Sequence, residues 1–518
     1  MPFFFEDVSI EIIIIRTIYY VYIMKKTNIL WFLIISLNLA SAFIIQPNFS
    51  VIARHNRIAL NVNTFQMQHK PNNNKPISWS KEKGIELFNI PATPEIWAIA
   101  LVYFVQGLFG ICRLAMSFYY KDVLHLTPVD LSVISSISAI PWIIKPLYGF
   151  ISDTFPLFGY KRKSYLILSG LLGSLSWALM AFLSMQINNG QMQGDAIATM
   201  YSVGLILLSS LGLAFSDVLV DAMVVSKSRV QNTAGALQSI CWSSSSIGGI
   251  ISAYFAGYLL QNYGTTVVFS LTSLIPLIMS GTAGLINEKQ YEDSIVTHKS
   301  LKEQGSNIWK ALSEKSILYP FIFLIIWNAT PSSGSTLFYF EVNKLGFQPE
   351  FFGQLGLISS ISSLIGILLY NQKLKTVPLR TLFKWTCIMG TILGMSPIML
   401  ITHFNRVIGL PDTWFAILDD IVLSVFGQIT FMPILVLAAK ICPVGVEAML
   451  YATIMSANNL SGSVGRLLGG LLTQLLGITN DNFTNLSSLI LLTNLSGLIP
   501  LLFLNFIPEE NINQDKKN

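Results

Sequence analysis

Asp217 and Asp221 stand four residues apart in "SDVLVDAMVVSKSR" (216–229), so on a helix both carboxylates project from one face. Two carboxylates that close resist being ionised together, which suits a site that takes up and releases a proton. The structural alternative is a pair of salt bridges, to Lys145 at comparable depth on another segment and to Arg229. Arg113 and Arg466 are isolated guanidiniums inside apolar runs, and Asp419-Asp420 is an acidic pair inside another. A guanidinium grips a carboxylate with a two-pronged fork. Arg113 therefore either holds an anionic ligand or pairs internally with Asp419 or Asp420. Arg466 offers a second anion contact or a contact between segments.

These charges need elements that can bury them. Of the 518 residues 52% are hydrophobic and 11% charged, against roughly 25% charged in soluble domains. Such a chain is a membrane protein, with the lipid bilayer as its first partner. The net charge of +5 is spread over short connectors; nucleic acid recognition needs a continuous basic face and is not expected. Cys112, Cys241, Cys387 and Cys442 are far apart, and there is no CxxC pair, HExxH helix or Walker loop. The chain is not expected to be an enzyme or to hold a metal or cofactor. His125 and His403 fall near segment ends, where solvated or capping roles suffice.

A hydrocarbon core about 30 Å thick needs roughly 20 helical residues. Apolar segments of that length fall near 96–120, 128–151, 164–186, 198–225, 234–260 and 264–286, then near 317–340, 350–371, 379–402, 412–438, 445–475 and 484–507. The expected fold is all-α: twelve transmembrane helices in two pseudo-symmetric six-helix bundles, the major facilitator fold. The bundles would span 91–286 and 317–507, with an inner central loop at 287–316 and a disordered tail at 508–518. Seventeen Lys and Arg fall in the connectors this count places inside, and only Lys121, Lys344 and Arg406 in those outside. Glycine and serine crowd "WSSSSIGGIISAYFAG" (242–257), "LISSISSLIG" (357–366) and "SGSVGRLLGG" (461–470), where close helix packing and sliding between halves are expected.

The N-terminus has a different character. From Met24, two lysines, an apolar run and Ala40-Ser41-Ala42 form the three regions of a signal peptide (24–42). The segment 43–90 begins with a long basic, acid-free stretch, a transit-peptide composition. The two in series, joined at Ala42-Phe43, resemble the bipartite presequence of algae whose plastids derive from a red alga. The alternative is an uncleaved helix followed by a disordered linker. Residues 1–23 are expected to be a non-native or disordered extension.

Five motifs carry a family resemblance: "KPLYGFISDTFPLFGYKRKSYL" (145–166), "SDVLVDAMVVSKSR" (216–229), "LQSICWSSSSIGGI" (237–250), "FYFEVNKLGFQPEFFG" (338–353) and "FMPILVLAAKICPVGVEAMLYATIMSANN" (431–459). Together, from about Pro94 to Pro508, they resemble the folate–biopterin transporter family. The resemblance implies secondary active transport of a small-molecule substrate, a folate or pterin, coupled to protons. With such a substrate, Arg113, Asp419 and Asp420 become candidate contacts, and Trp142, Trp242, Phe338 and Tyr339 candidates for stacking on a flat pterin ring. Asp217, Asp221 and Lys145 would form a proton-coupling site or inner gate. Gly149, Asp153 and Gly159 resemble the major facilitator loop whose acid latches the halves together. Two departures stand out: "PSSGSTLFYF" (331–340) lacks the acid the family pattern carries there, and Arg466 lies outside that pattern. The alternatives are a carrier of another organic anion on this fold, or a non-transporting receptor or scaffold. A monomer is expected in a plastid envelope membrane, its inner connectors facing the stroma. A fluorescent fusion of residues 24–90 is expected to reach the plastid; retention in the secretory pathway would contradict that address.

Overall fold

The structure, a computed structural model, describes residues 86–87, 90–231, 234–290, 306, 309–310, 312–441 and 447–508. The expected extension (1–23), the signal peptide (24–42), nearly all of 43–90, much of the central loop and the tail beyond 508 lie outside the described residues. A short hairpin of β1 (Glu86–Leu87) and β2 (Ile90–Pro91) precedes the first span.

Twelve helical segments cross the hydrophobic layer. The first six are α1 (Pro94–Val123), α2 (Pro128–Thr154), α3 (Lys163–Asn188), α4 (Ala196–Gln231), α5 (234–263) and α6 (265–282). The second six are α7 (Lys315–Asn328, resuming as Gly334–Asn343), α8 (Pro349–Leu374), α9 (Leu379–Ile401), α10 (Asp412–Lys440), α11 (Glu447–Leu475) and α12 (Leu486–Phe506). Among the described residues, nine helices are long and apolar enough to span by themselves. One of these, Ile240–Leu285, joins α5 and α6. They meet at Gly264, whose φ of 74° and ψ of 180° is open essentially to glycine alone. The two that fall short are the broken α7 and the Ser-, Gly- and Asn-rich α11. We call the end bearing Lys161–Lys163 the basic end and its opposite the far end.

Local chemistry sets the ends. At the far end α2 starts on a capping box: the Asp130 N–H donates to Thr127 Oγ1 (3.2 Å), and the Thr127 N–H donates to Asp130 Oδ2 (3.1 Å). Pro128 sits in the first turn, where its missing N–H costs nothing. In α7 the helix lapses over 329–333 around Pro331, and the freed backbone turns to α11. The Ser332 N–H donates to the Gly465 carbonyl at 3.1 Å. This satisfies the rule that irregular backbone at membrane depth must find partners in protein. The Asn328 amide donates to Asn458, and Thr336 and Thr473 hydroxyls meet at 2.8 Å.

Lipid gives helices no hydrophobic reason to associate, so small residues let them approach. A Cβ on Gly107 of α1 would lie 2.1 Å from the Ser245 carbonyl oxygen of α5, and one on Gly248 would lie 2.2 Å from that of Phe104. Two seams join the halves. In one, α2 meets α11: the Ser136 hydroxyl donates to the Ser463 carbonyl (3.1 Å) and the Asn459 amide to the Trp142 carbonyl (3.3 Å). In the other, α5 meets α8, where a Cβ on Gly257 would sit 2.4 Å from the Pro349 carbonyl oxygen. At the far end Phe118, Phe338 and Phe352 form a cluster with centroids 5.3–5.9 Å apart, and the Tyr339 hydroxyl donates to the Leu126 carbonyl (2.6 Å).

This packing is testable. Gly107→Val should destabilise the detergent-solubilised protein by about 1–3 kcal/mol, the usual cost of overpacking, read as a lowered thermal midpoint. Gly281→Ala, with nothing within 4 Å of the added carbon, should leave it unchanged. Equal behaviour of the two variants would contradict the close α1–α5 approach.

Candidate functional site

The N-terminal bundle gathers its buried charges at one place. Lys145 of α2 forms an ion pair with Asp217 of α4, and their side chains are 14% and 9% exposed. Asp217 also accepts from the Gln106 amide of α1 at 2.8 Å. One turn nearer the basic end, Asp221 accepts from the Tyr103 hydroxyl of α1. Lys145 lies 4.7 Å from the centroid of the Trp142 ring, so its charge is shared between a carboxylate and a π face. At the basic end Lys227 pairs with Glu95. Three contacts thus run along the antiparallel α1 and α4, and helical spacing explains them: 103 and 106 share one face of α1, and 217 and 221 share one face of α4. The Arg229 side chain lies outside the described residues.

The ledger of charge in this cluster is unequal. Among the described residues two carboxylates face one ammonium, and Asp221 is bonded to the neutral Tyr103 hydroxyl. An unbalanced charge at membrane depth is costly, so the arrangement suits a group that gains and loses a proton.

Arg113 lies seven residues beyond Gln106 on α1, about 10 Å further toward the far end. It is exposed, with no carboxylate within ion-pair distance among the described residues. The internal pairing with Asp419 or Asp420 does not form. These acids are held within their own half: Asp419 accepts from the Ser396 hydroxyl of α9, and Asp420 from that of Ser359 of α8 at 3.0 Å. Glu341 of α7 is near enough to feel both charges. Arg466 on α11 donates to the Ser463 hydroxyl at 2.9 Å, and its Nε is buried without an acceptor.

The aromatic residues are dispersed. Trp142 joins the Lys145 cluster, whereas Trp242 on α5 is 51% exposed. Phe338 belongs to the far-end cluster, and Tyr339 is fully buried beside it.

The turn between α2 and α3 departs from expectation in its partners. Asp153 is exposed, with no hydrogen bond or ion pair among the described residues. The acid that organises this turn is Glu288, just after α6. Its carboxylate accepts from the backbone N–H groups of Lys161, Arg162 and Lys163 at 2.9, 3.2 and 3.0 Å. Three N–H donors at a helix start form a natural anion nest. Gly159, at φ 80°, passes under Gln290, where a Cβ would approach Cγ to 2.7 Å. Gly149 faces Val218 of α4 at ordinary van der Waals distance.

Tyr103, Gln106, Glu288 and Glu341 were not singled out by sequence. For the first two a signal existed: polar residues three apart in α1, matching the four-residue spacing of the acids they meet on antiparallel α4. Glu288 binds backbone, which leaves no partner pattern in side chains.

Comparison with known proteins fits this architecture. The chain is 43% identical over 435 residues to the folate-biopterin transporter of Synechocystis, covering 84% of this chain and 85% of the relative. It is 31% identical over 444 residues to folate transporter 2 of Plasmodium falciparum, covering 85% and 92%, and 31% over 451 residues to the probable folate-biopterin transporter 2 of Arabidopsis thaliana, covering 85% and 87%. Among solved structures, the nucleoside transporter NupG superposes with a TM-score of 0.58 at 16% identity, covering 80% of this chain and all of that one. A D-xylose–proton symporter gives 0.58 at 15%, covering 81% and 99%. These two likenesses concern the fold, which is that of the major facilitator transporters. The BT1 family profile matches residues 106–518, and with relatives this similar over most of its length the chain belongs to the BT1 family.

Proposed function

We propose that this protein is a proton-coupled secondary transporter of folates and pterins, working by alternating access in a plastid envelope membrane. The observation that carries the mechanism is the unequal charge of the α1–α2–α4 cluster: among the described residues Asp217 and Asp221 share the one ammonium of Lys145. Asp217, gripped by Lys145 and Gln106, is the fixed member. Asp221, bonded to the Tyr103 hydroxyl, is the member that exchanges a proton. Protonation makes the cluster neutral, which lowers the cost of moving it between two differently hydrated surroundings. Arg113, exposed and without an acid partner among the described residues, is the substrate's carboxylate contact in this half. The far-end aromatic cluster closes one side of the path, and rocking about the α2–α11 and α5–α8 seams opens it. Asp153, exposed at the end of α2 and without a partner among the described residues, is the acid that latches the halves in the opposite conformation.

The folate and pterin assignment is supported by the relatives, and the plastid address by the presequence pattern alone. In proteoliposomes with an imposed proton gradient, labelled folic acid or biopterin should accumulate above equilibrium. Asp221→Asn should reduce accumulation to passive equilibration while preserving counterflow exchange. Equal loss of accumulation and exchange would reject the coupling role. A well-folded preparation that moves no folate or pterin would reject the substrate class.

A further inference from the structure

Arg466 sits where the two halves meet. On α11 it shares a face with Asn459 and lies between Ser463 and Gly470, and all three of those residues approach α2. Asn459 bonds the Trp142 carbonyl, Ser463 receives the Ser136 hydroxyl, and a Cβ on Gly470 would lie 3.2 Å from Ser132 Cβ. The preceding residue, Gly465, packs against the α7 break, where a Cβ would lie 2.5 Å from the Thr330 carbonyl oxygen. Arg466 therefore stands at the junction of α2, α7 and α11.

Its hydrogen bonding is incomplete. A guanidinium has five N–H donors. Among the described residues one of them bonds the Ser463 hydroxyl, no carboxylate lies within ion-pair distance, and the buried Nε has no acceptor. The adjacent break offers Ser332, Ser333 and Gly334, none of them an acid. A residue meant only to fasten helices would be expected to find an acid or a carbonyl, because a half-buried unpaired cation is costly. Arg113 and Arg466 stand 10 and 9 residues before the far ends of α1 (Val123) and α11 (Leu475), one in either half.

We propose that Arg466 binds a carboxylate of the transported molecule, so that the protein selects folates, which carry a glutamate with two carboxylates, over pterins that carry none. The inference rests on the folate and pterin reading above. With Arg113 in one half and Arg466 in the other, a dicarboxylate bridges the halves, and a pterin such as biopterin touches neither arginine through a carboxylate. The Ser463 hydroxyl holds Nη2 and orients the guanidinium, leaving Nη1 for the ligand.

The test compares folic acid and biopterin counterflow in proteoliposomes of the full chain for wild type, Arg466→Gln and Arg466→Lys. Arg466→Gln should raise the folic acid KM by about tenfold or more, the scale of one lost charge-assisted pair, with biopterin KM and maximal rate unchanged. Arg466→Lys should fall between, keeping the charge and losing the fork. Unchanged biopterin exchange shows that the variant is folded. Equal impairment of both substrates would overturn the proposal and make Arg466 a fastener between helices; no effect on either would also overturn it. Wild type that carries biopterin but not folic acid would overturn this inference alone, and wild type that carries neither would remove the transport reading beneath it.

Discussion

A charge inside hydrocarbon must be neutralised, hydrogen-bonded or wet, and the Lys145–Asp217 bond is the point where this fold meets that demand. It ties α2 to α4, and the Gln106 amide ties α1 to the same carboxylate. The Tyr103–Asp221 and Glu95–Lys227 contacts extend the attachment of α1 to α4 toward the basic end. Three helices are thereby locked into one polar core within the first bundle. The same constraint explains why the surplus carboxylate matters. Among the described residues the cluster has one more acid than base, and the proposed proton exchange rests on that imbalance.

Packing supplies the complement. With no hydrophobic drive between helices, backbones come together where side chains are absent, as at Gly107 and Gly248 within the first bundle and at Gly257 between bundles. The α7 break is tolerated because Gly465 and Gly469 of α11 leave room for it and the Gly465 carbonyl takes its N–H. The halves are thus joined through small residues, a few hydroxyls and amides and the far-end aromatic cluster, contacts that can be exchanged. Contacts within the first bundle include ion pairs, which are harder to break. Glu288 adds to this stiffness by fixing the turn after α2 to the end of α6.

The spans were legible in the sequence because hydropathy and the alternation of basic connectors are read by the same bilayer. The α5–α6 boundary needed Gly264, whose backbone angles let two spans abut without a loop. α7 and α11 were counted from sequence as well, although they are less uniformly apolar because they bury polar residues against each other. Of the site, charged residues announced themselves by their cost, and Asp217 with Lys145 was among the pairings weighed. Tyr103 and Gln106 are neutral and carried no such mark. The contact of Arg113 with Asp419 or Asp420 did not form, because depth along a helix says nothing about the direction a side chain faces, and Ser396 and Ser359 hold those acids within their own bundle.

In the proposed transport cycle the two bundles rock as units and exchange openings. Spin labels at Asp122 and Lys344 report the far end, and labels at Phe158 and Lys375 report the basic end; all four positions are exposed. Distances between each pair, measured by pulsed electron resonance in lipid, should show two populations that shift in opposite directions when folic acid is added or the pH is lowered. Single distances at both ends, unmoved by either, would contradict the account.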